Sequence, residues 1–140
     1  MKRRRRTEIL INGSQTLAAE LARIISENYK MKVIQEPENG LVMLKVRETS
    51  QESLFYPGEV FVTECKVQID ETIGIGVVTG DQPELAFHLA VIDAAFQAAL
   101  PETKEWMKLL EIEEKMIQEH RATANQALLK TKVNFENMDV

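Results

Sequence analysis

The sequence is poor in cysteine, proline and aromatic residues: one Cys, four Pro and 6% Phe, Trp and Tyr in 140 residues. A single thiol, Cys65, excludes an internal disulfide, and no Cys/His cluster has the spacing of a structural zinc site. A reducing compartment fits, and the cytoplasm is the expected location. No apolar run approaches the roughly 18 residues that mark a membrane span, and the basic start lacks the apolar stretch of a secretory signal. No membrane contact is expected. Excess positive charge is missing as well. A net charge of -5 and a pI near 5.2 argue against a generally basic surface for nucleic acid.

What is present is the balance of a soluble globular protein, 44% apolar and 28% charged. The length suits one well-filled core, so residues 1–140 are read as a single domain. The local exception in charge is Lys2, Arg3, Arg4, Arg5 and Arg6. Residues 1–6 are read as a flexible, solvated arm, with pairing to phosphates or to an acidic partner as its other use.

The periodicity predicts helix from Thr7 to Tyr29, with Leu17, Leu21, Ile24 and Ile25 on one face and an interruption at Asn12-Gly13-Ser14, where Ser14 can cap the second segment. Met31 to Gln35 and Val42 to Val46 read as two strands of a hairpin turning near Glu38-Asn39-Gly40. Phe61, Thr63, Cys65, Val67 and Ile69 alternate with Glu64, Lys66 and Gln68, the clearest strand in the chain. Ile73, Ile75 and Val77 continue its apolar face after an Asp70-Glu71 turn, with Gly74 and Gly76 on the other face. Such short loops join antiparallel neighbours.

A helix is expected to open at Pro83 behind Asp81 or Gln82, with Leu85, Leu89, Ile92, Phe96 and Leu100 in a stripe flanked by Ala86, Ala90 and Ala94. Those small residues permit close packing where the sheet glycines leave room. After Pro101 a long helix from about Glu102 to Leu128 carries Trp106, Leu109, Leu110, Met116 and Ile117, spanning about 40 Å. That exceeds what a small sheet needs, so a partner chain is expected to cover part of it. Residues 129–140 form a tail in which Val133 and Phe135 look extended. The class is α+β: an antiparallel sheet of about four strands, N-terminal helices and two C-terminal helices, the last one long.

Several residues invite a chemical reading. Gly74, Gly76 and Gly80 resemble a phosphate-binding glycine loop but lack its Gly-Lys-Ser/Thr ending, and glycines in a strand more often mark a bulge or a close backbone approach. Glu84 and His88, four apart on a helix, have the spacing of two metal ligands without a third. Asp93 lies beside the apolar stripe among alanines, where a carboxylate must find a donor or face a partner's site. Cys65 fits a small core residue better than a nucleophile. Glu59, after Pro57-Gly58, sits at a turn into a strand, and His120 has no patterned partner. No nucleophile–base pair, carboxylate pair or metal cluster stands out, so no catalytic, cofactor-binding or metal residue is assigned.

The order of Phe55-Tyr56-Pro57-Gly58-Glu59, Val62-Thr63-Glu64-Cys65-Lys66-Val67, the glycine strand Gly74 to Gly80, Ala90-Val91-Ile92-Asp93-Ala94 and the tail Thr131 to Met138 resembles the PhnG family across nearly the whole chain. Two places depart from the family pattern: Asp81-Gln82 stands where Arg-Asp is common, and Asn134-Phe135-Glu136-Asn137-Met138 replaces an Asp-Phe-Phe-Thr-Met character. The resemblance implies an accessory subunit of the carbon–phosphorus lyase core complex. That complex transfers an alkylphosphonate onto the ribose C1 of MgATP with release of adenine. The nucleosidase chemistry is implied for the PhnI subunit and the later bond cleavage for PhnJ, a radical S-adenosylmethionine iron–sulfur protein. PhnI, PhnH and PhnJ are the implied partners, and a homo-oligomer is a further expectation for the isolated chain. The competing readings are an autonomous enzyme using Glu59, Cys65 or Asp93, a nucleic-acid module on residues 2–6, and a homodimeric scaffold or ligand-binding protein outside phosphonate metabolism.

Overall fold

The computed structural model describes the backbone at residues 1–47 and 54–138 and the side chains at residues 1–43 and 58–129. The described elements run α1 (Arg3–Asn12), α2 (Gln15–Asn28), β1 (Met31–Arg47), β2 (Leu54–Ile69), β3 (Thr72–Thr79), α3 (Pro83–Gln97) and α4 (Glu102–Met138). The sheet is antiparallel with the order β1-β2-β3, so the α+β class stands. Where two short strands and a turn are expected, there is one 17-residue strand, β1. The turn residues Glu38-Asn39-Gly40 pair along β2, and the breaks in their pattern appear as register shifts between Val33 and Gln35 and between Gln35 and Glu38. A bulge absorbs turn-forming residues without reversing the chain, which leaves three strands instead of about four.

α3 is the middle of the molecule. Leu85, Ala86, Leu89, Ala90, Val91, Ile92, Ala94 and Ala95 are all buried, as expected of a helix that is apolar all round and covered on both sides. One side lies on the sheet and the other receives α2 through Ala18, Leu21, Ala22 and Ile25. On β2 the predicted alternation holds for Thr63, Cys65, Val67 and Ile69, which are buried. Phe61, expected with them, is 43% exposed, because α3 does not reach that far along the strand.

β3 reverses one expectation. Its buried positions are Gly74, Gly76 and Val78, while Ile73, Ile75 and Val77 face outward. The reason is the separation between sheet and helix. A Cβ on Gly74 would sit 2.6 Å from the Ala94 Cβ and overlap the Ala90 carbonyl, and one on Gly76 would sit 2.7 Å from the Ala90 nitrogen. The close approach foreseen between glycines and alanines is therefore real, and no isoleucine fits between those backbones. It follows that the apolar row, bulkier by three or four carbons per residue, must take the solvent side.

Ala99, at φ 52°, closes α3, with the Leu100 N–H bonded back to the Ala95 carbonyl at 3.1 Å. α4 then presents Thr103, Trp106 and Leu110 to the body, and the Trp106 ring meets Phe96 edge-on at 5.9 Å. Leu109 and Met116, expected on its packed face, are 44% and 58% exposed. The helix also runs on through the segment expected to be an extended tail, so its 37 residues span about 55 Å. Every described residue after Ile117, from Gln118 to Leu129, is exposed. Among the described residues, no helix is long and apolar enough to cross a membrane.

Replacing Gly76 by Ala is expected to destabilise the chain by about 2–3 kcal/mol, through a backbone shift at the sheet–helix contact. Gly40, with open space around it, should accept Ala within about 0.5 kcal/mol. Urea denaturation of the two variants checks the contrast, and equal stability would contradict the packing argument.

Candidate functional site

The five N-terminal cations do not form a free arm. Residues 3–6 are the first turn of α1, which begins four residues earlier than the apolar pattern predicts. Cations at a helix N-terminus oppose the helix dipole, so this turn needs carboxylates nearby. α3 and α4 supply them. The Arg3 Nη2 donates to Asp93 Oδ2 at 2.7 Å, and the Arg6 Nη2 donates to Asp93 Oδ1 at 3.1 Å. Arg5 grips Glu114 through Nε and Nη2 at 2.8 and 2.6 Å. Arg4, with a side chain 91% exposed, pairs with Glu8 four residues on at the surface.

Asp93 has a third donor. The Ile75 N–H, on the outer edge of β3, donates to Oδ2 at 2.9 Å. One carboxylate on α3 therefore joins α1, the edge strand and the central helix, and the requirement that it find donors is met within the chain. Arg6 is 7% exposed and its guanidinium lies 4.2 Å above the centre of the Phe96 ring. Burial pushes the Arg6 pKa down and the Asp93 charge opposes that shift. Arg3 also lines a cleft of about 480 Å³ together with Arg4, Thr7, Ile75, Val77 and Leu89.

A second polar junction sits where β3 leaves the sheet. Thr63 Oγ1 donates to the Gly80 carbonyl at 2.6 Å, accepts the Gln82 N–H at 3.0 Å and lies 3.1 Å from the Asn39 side-chain oxygen. Gly80 has φ 87°, a left-handed conformation that favours glycine. Asp81 and Gln82, the residues that depart from the family pattern, occupy this turn. Gln82 precedes α3, and its side chain donates to the Thr79 carbonyl at 2.8 Å.

The other candidates are dispersed. Glu59 is exposed on β2 opposite Met43, within a strand rather than at a turn. Cys65 is fully buried under α3, and burial raises its thiol pKa. Gly74 and Gly76 press on α3, leaving no loop for a phosphate. Glu84 and His88 share a shallow cleft with Gln15, Thr16, Ala19 and Leu85, where burial lowers the His88 pKa and Glu84 opposes it. Among the described residues, no group of three or more His, Cys, Asp or Glu could hold a metal ion. Val133 and Phe135 lie in the helical end of α4, and their side chains fall outside the described residues. His120 is exposed on α4, beside a groove with Asn12, Gly13 and Ile117.

Arg3, Arg5 and Arg6, read from the sequence as part of a solvated arm, are the residues whose structural role that reading missed. Their signal was present. Arg3 and Arg6 are three apart and Ile9 and Leu10 follow at helical spacing, so the arginines continue the buried face of α1 rather than precede it.

Asp93→Asn keeps an acceptor for the Ile75 N–H but strips the buried Arg6 of its counter-charge. A loss of about 3 kcal/mol in chemical denaturation is expected, as for other broken buried pairs. A change below about 0.5 kcal/mol would show that the pair holds nothing together. The Arg5 hydrogen bond holds Glu114 below the usual carboxylate range. A depressed acid stabilises the fold above its unfolded pKa, and this contribution is lost as pH falls through the folded value. The protection of α4 amides around Leu110 to Ile117, taken relative to the intrinsic exchange rate at each pH, should therefore fall as pH drops through and below the ordinary carboxylate range. Glu114→Gln should flatten that dependence.

A family model described as phosphonate metabolism protein PhnG matches residues 1–139. Among curated proteins, none matches the sequence. The family match spans α1 to the end of α4, including the paired arginines, the glycine strand and Asp93, and the chain belongs to the PhnG family of phosphonate metabolism proteins.

Proposed function

We propose that this protein is an accessory subunit of the carbon–phosphorus lyase core complex. In that role it supports formation of a ribose 1-alkylphosphonate 5-triphosphate from MgATP and an alkylphosphonate. A phosphonate oxygen bonds to ribose C1 as the bond from C1 to adenine breaks, and adenine leaves. PhnI is the subunit that carries this step, with PhnH and PhnJ completing the assembly.

The observation that supports a subunit role is α4. Its first four turns are fastened to the body by Trp106, Leu110, the Tyr29 hydroxyl on Glu102 at 2.9 Å and the Arg5–Glu114 pair. The remainder projects with Leu128 and Leu129 at 68% and 62% exposure. A single solvated helical segment is marginal in water, because most helix stability in proteins comes from packing an apolar face. A partner chain supplies that packing. The buried ionisable groups are also engaged within the chain: Asp93 accepts three hydrogen bonds and Arg6 is held by Asp93 and Phe96.

Deleting Thr131 to Val140 is expected to abolish co-purification with PhnI while leaving the thermal transition of the isolated chain within a few degrees of wild type. Adenine release from ATP and methylphosphonate, assayed with the reconstituted subunits, should require the full-length chain. Undiminished assembly by the truncated chain would refute the role of α4, and adenine release unaffected by omitting the chain would refute the accessory role.

A further inference from the structure

A second element projects from the body. β2 outruns β3: their pairing ends at Val62 opposite Thr79, whereas β1 and β2 stay paired through Leu41–Phe61, Val42–Val60 and Met43–Glu59 as far as Arg47–Leu54. The result is a two-stranded ribbon beyond the helical layers. Its described side chains are apolar on both faces. Leu41, Met43 and Phe61, at 63%, 57% and 43% exposure, extend the row that holds Thr63 and Cys65 in the body, and Val42, at 47%, faces the other way. An isolated two-stranded ribbon is marginal in water, and an exposed apolar one is ordinarily covered. Gly40 and Gly58 have open space around them, so another backbone can approach closely there.

Charge decides between occupants. Among the side chains described, which end at Met43 and resume at Gly58, the exposed ionisable groups on and beside the ribbon are Glu36, Glu38 and Glu59, in a chain of net charge -5. Pairing two copies through their ribbons sets carboxylate against carboxylate. Strand addition at the outer edge of β1 is hindered by Pro37 and by the register shifts that flank it. Exposed cations such as Lys32, Lys104 and Lys108 are present on a second copy, but within a chain of net charge -5, so an acidic ribbon meets weaker complementarity there than on a basic surface. The complementary surface is an apolar cleft edged with lysine or arginine on a different protein.

We propose that residues 40–43 and 58–61 form an insertion arm that seats in an apolar, Lys/Arg-rimmed cleft of a different chain, independently of α4. This rests on the subunit reading above and adds a second, separate contact surface to it. The apolar side chains fill the cleft, and the carboxylates set register and speed the encounter.

The test is capture of the full-length chain, co-expressed with PhnI, PhnH and PhnJ, by a tag on PhnI. One variant carries Leu41→Ser, Met43→Ser and Phe61→Ser; another carries Glu36→Lys, Glu38→Lys and Glu59→Lys. Thermal melts followed by circular dichroism report whether each body is folded, and the charge variant alters only exposed positions. Both should be captured about tenfold less than wild type, as expected when central anchors are truncated. For the charge variant this deficit should narrow as salt is raised. Wild-type capture of both variants, with the Thr131–Val140 deletion still defective, overturns the arm and leaves the subunit reading intact. Failure to capture the wild-type chain overturns both. A wild-type chain that dimerises alone, and becomes monomeric in the serine variant, overturns the arm in favour of a second copy.

Discussion

The carboxylate of Asp93 is the constraint on which the arrangement of the body depends. A charge at 6% exposure, between a sheet and two helices, must be fully engaged or it destabilises the fold by several kcal/mol. Here it receives one backbone N–H from β3 and two guanidinium groups from α1. The Ile75 amide fixes the edge strand against α3. Arg3 and Arg6 fix α1, whose run of cations would otherwise repel itself and oppose its own helix dipole. Arg5, on the same turn, reaches the other way and holds α4 through Glu114. One turn of helix thus joins the edge strand, the central helix and the last helix by charge.

The close contact between β3 and α3 is the apolar counterpart of that junction. Glycines 74 and 76 let the backbones of strand and helix approach until alanine fills the gap, which brings the Ile75 amide within reach of Asp93. The same approach turns Ile73, Ile75 and Val77 outward. A compact body is gained at the expense of an apolar strip on its surface. With the ribbon of β1 and β2 and the distal half of α4, the described residues expose apolar side chains on four elements around a small core.

That distribution is what supports the proposed subunit role in physical terms. Among the described residues, the buried polar side chains are satisfied within the chain. Of the apolar groups left exposed, those of the β1–β2 ribbon and Leu128 and Leu129 lie on projections, where burial against another chain would add stability that the body itself cannot supply, whereas Ile73, Ile75 and Val77 lie on the body. Membership of the PhnG family places this arrangement within phosphonate metabolism.

The order of the elements was legible in the sequence because it rests on local periodicity: the alternation from Thr63 to Ile69, the proline opening α3 and the alanine stripe along it all have single-residue spacing as their signal. The family assignment was legible too, since it rests on the order of motifs. The strand count was not, because Glu38-Asn39-Gly40 carries the chemistry of a turn and only pairing with a long β2 shows that a bulge has absorbed it. Nor was the outward face of β3, where the strand's own pattern favours burying isoleucine and the width left by the helix forbids it. The site divides along the same line. That Asp93 needs a donor follows from its neighbours in sequence; that the donors are Arg3 and Arg6, some ninety residues away, and an edge amide depends on how three elements meet in space. Sequence determines which groups must be satisfied, because burial and periodicity are local, and tertiary structure decides by whom, because charge pairs form between any residues the packing brings within about 3 Å.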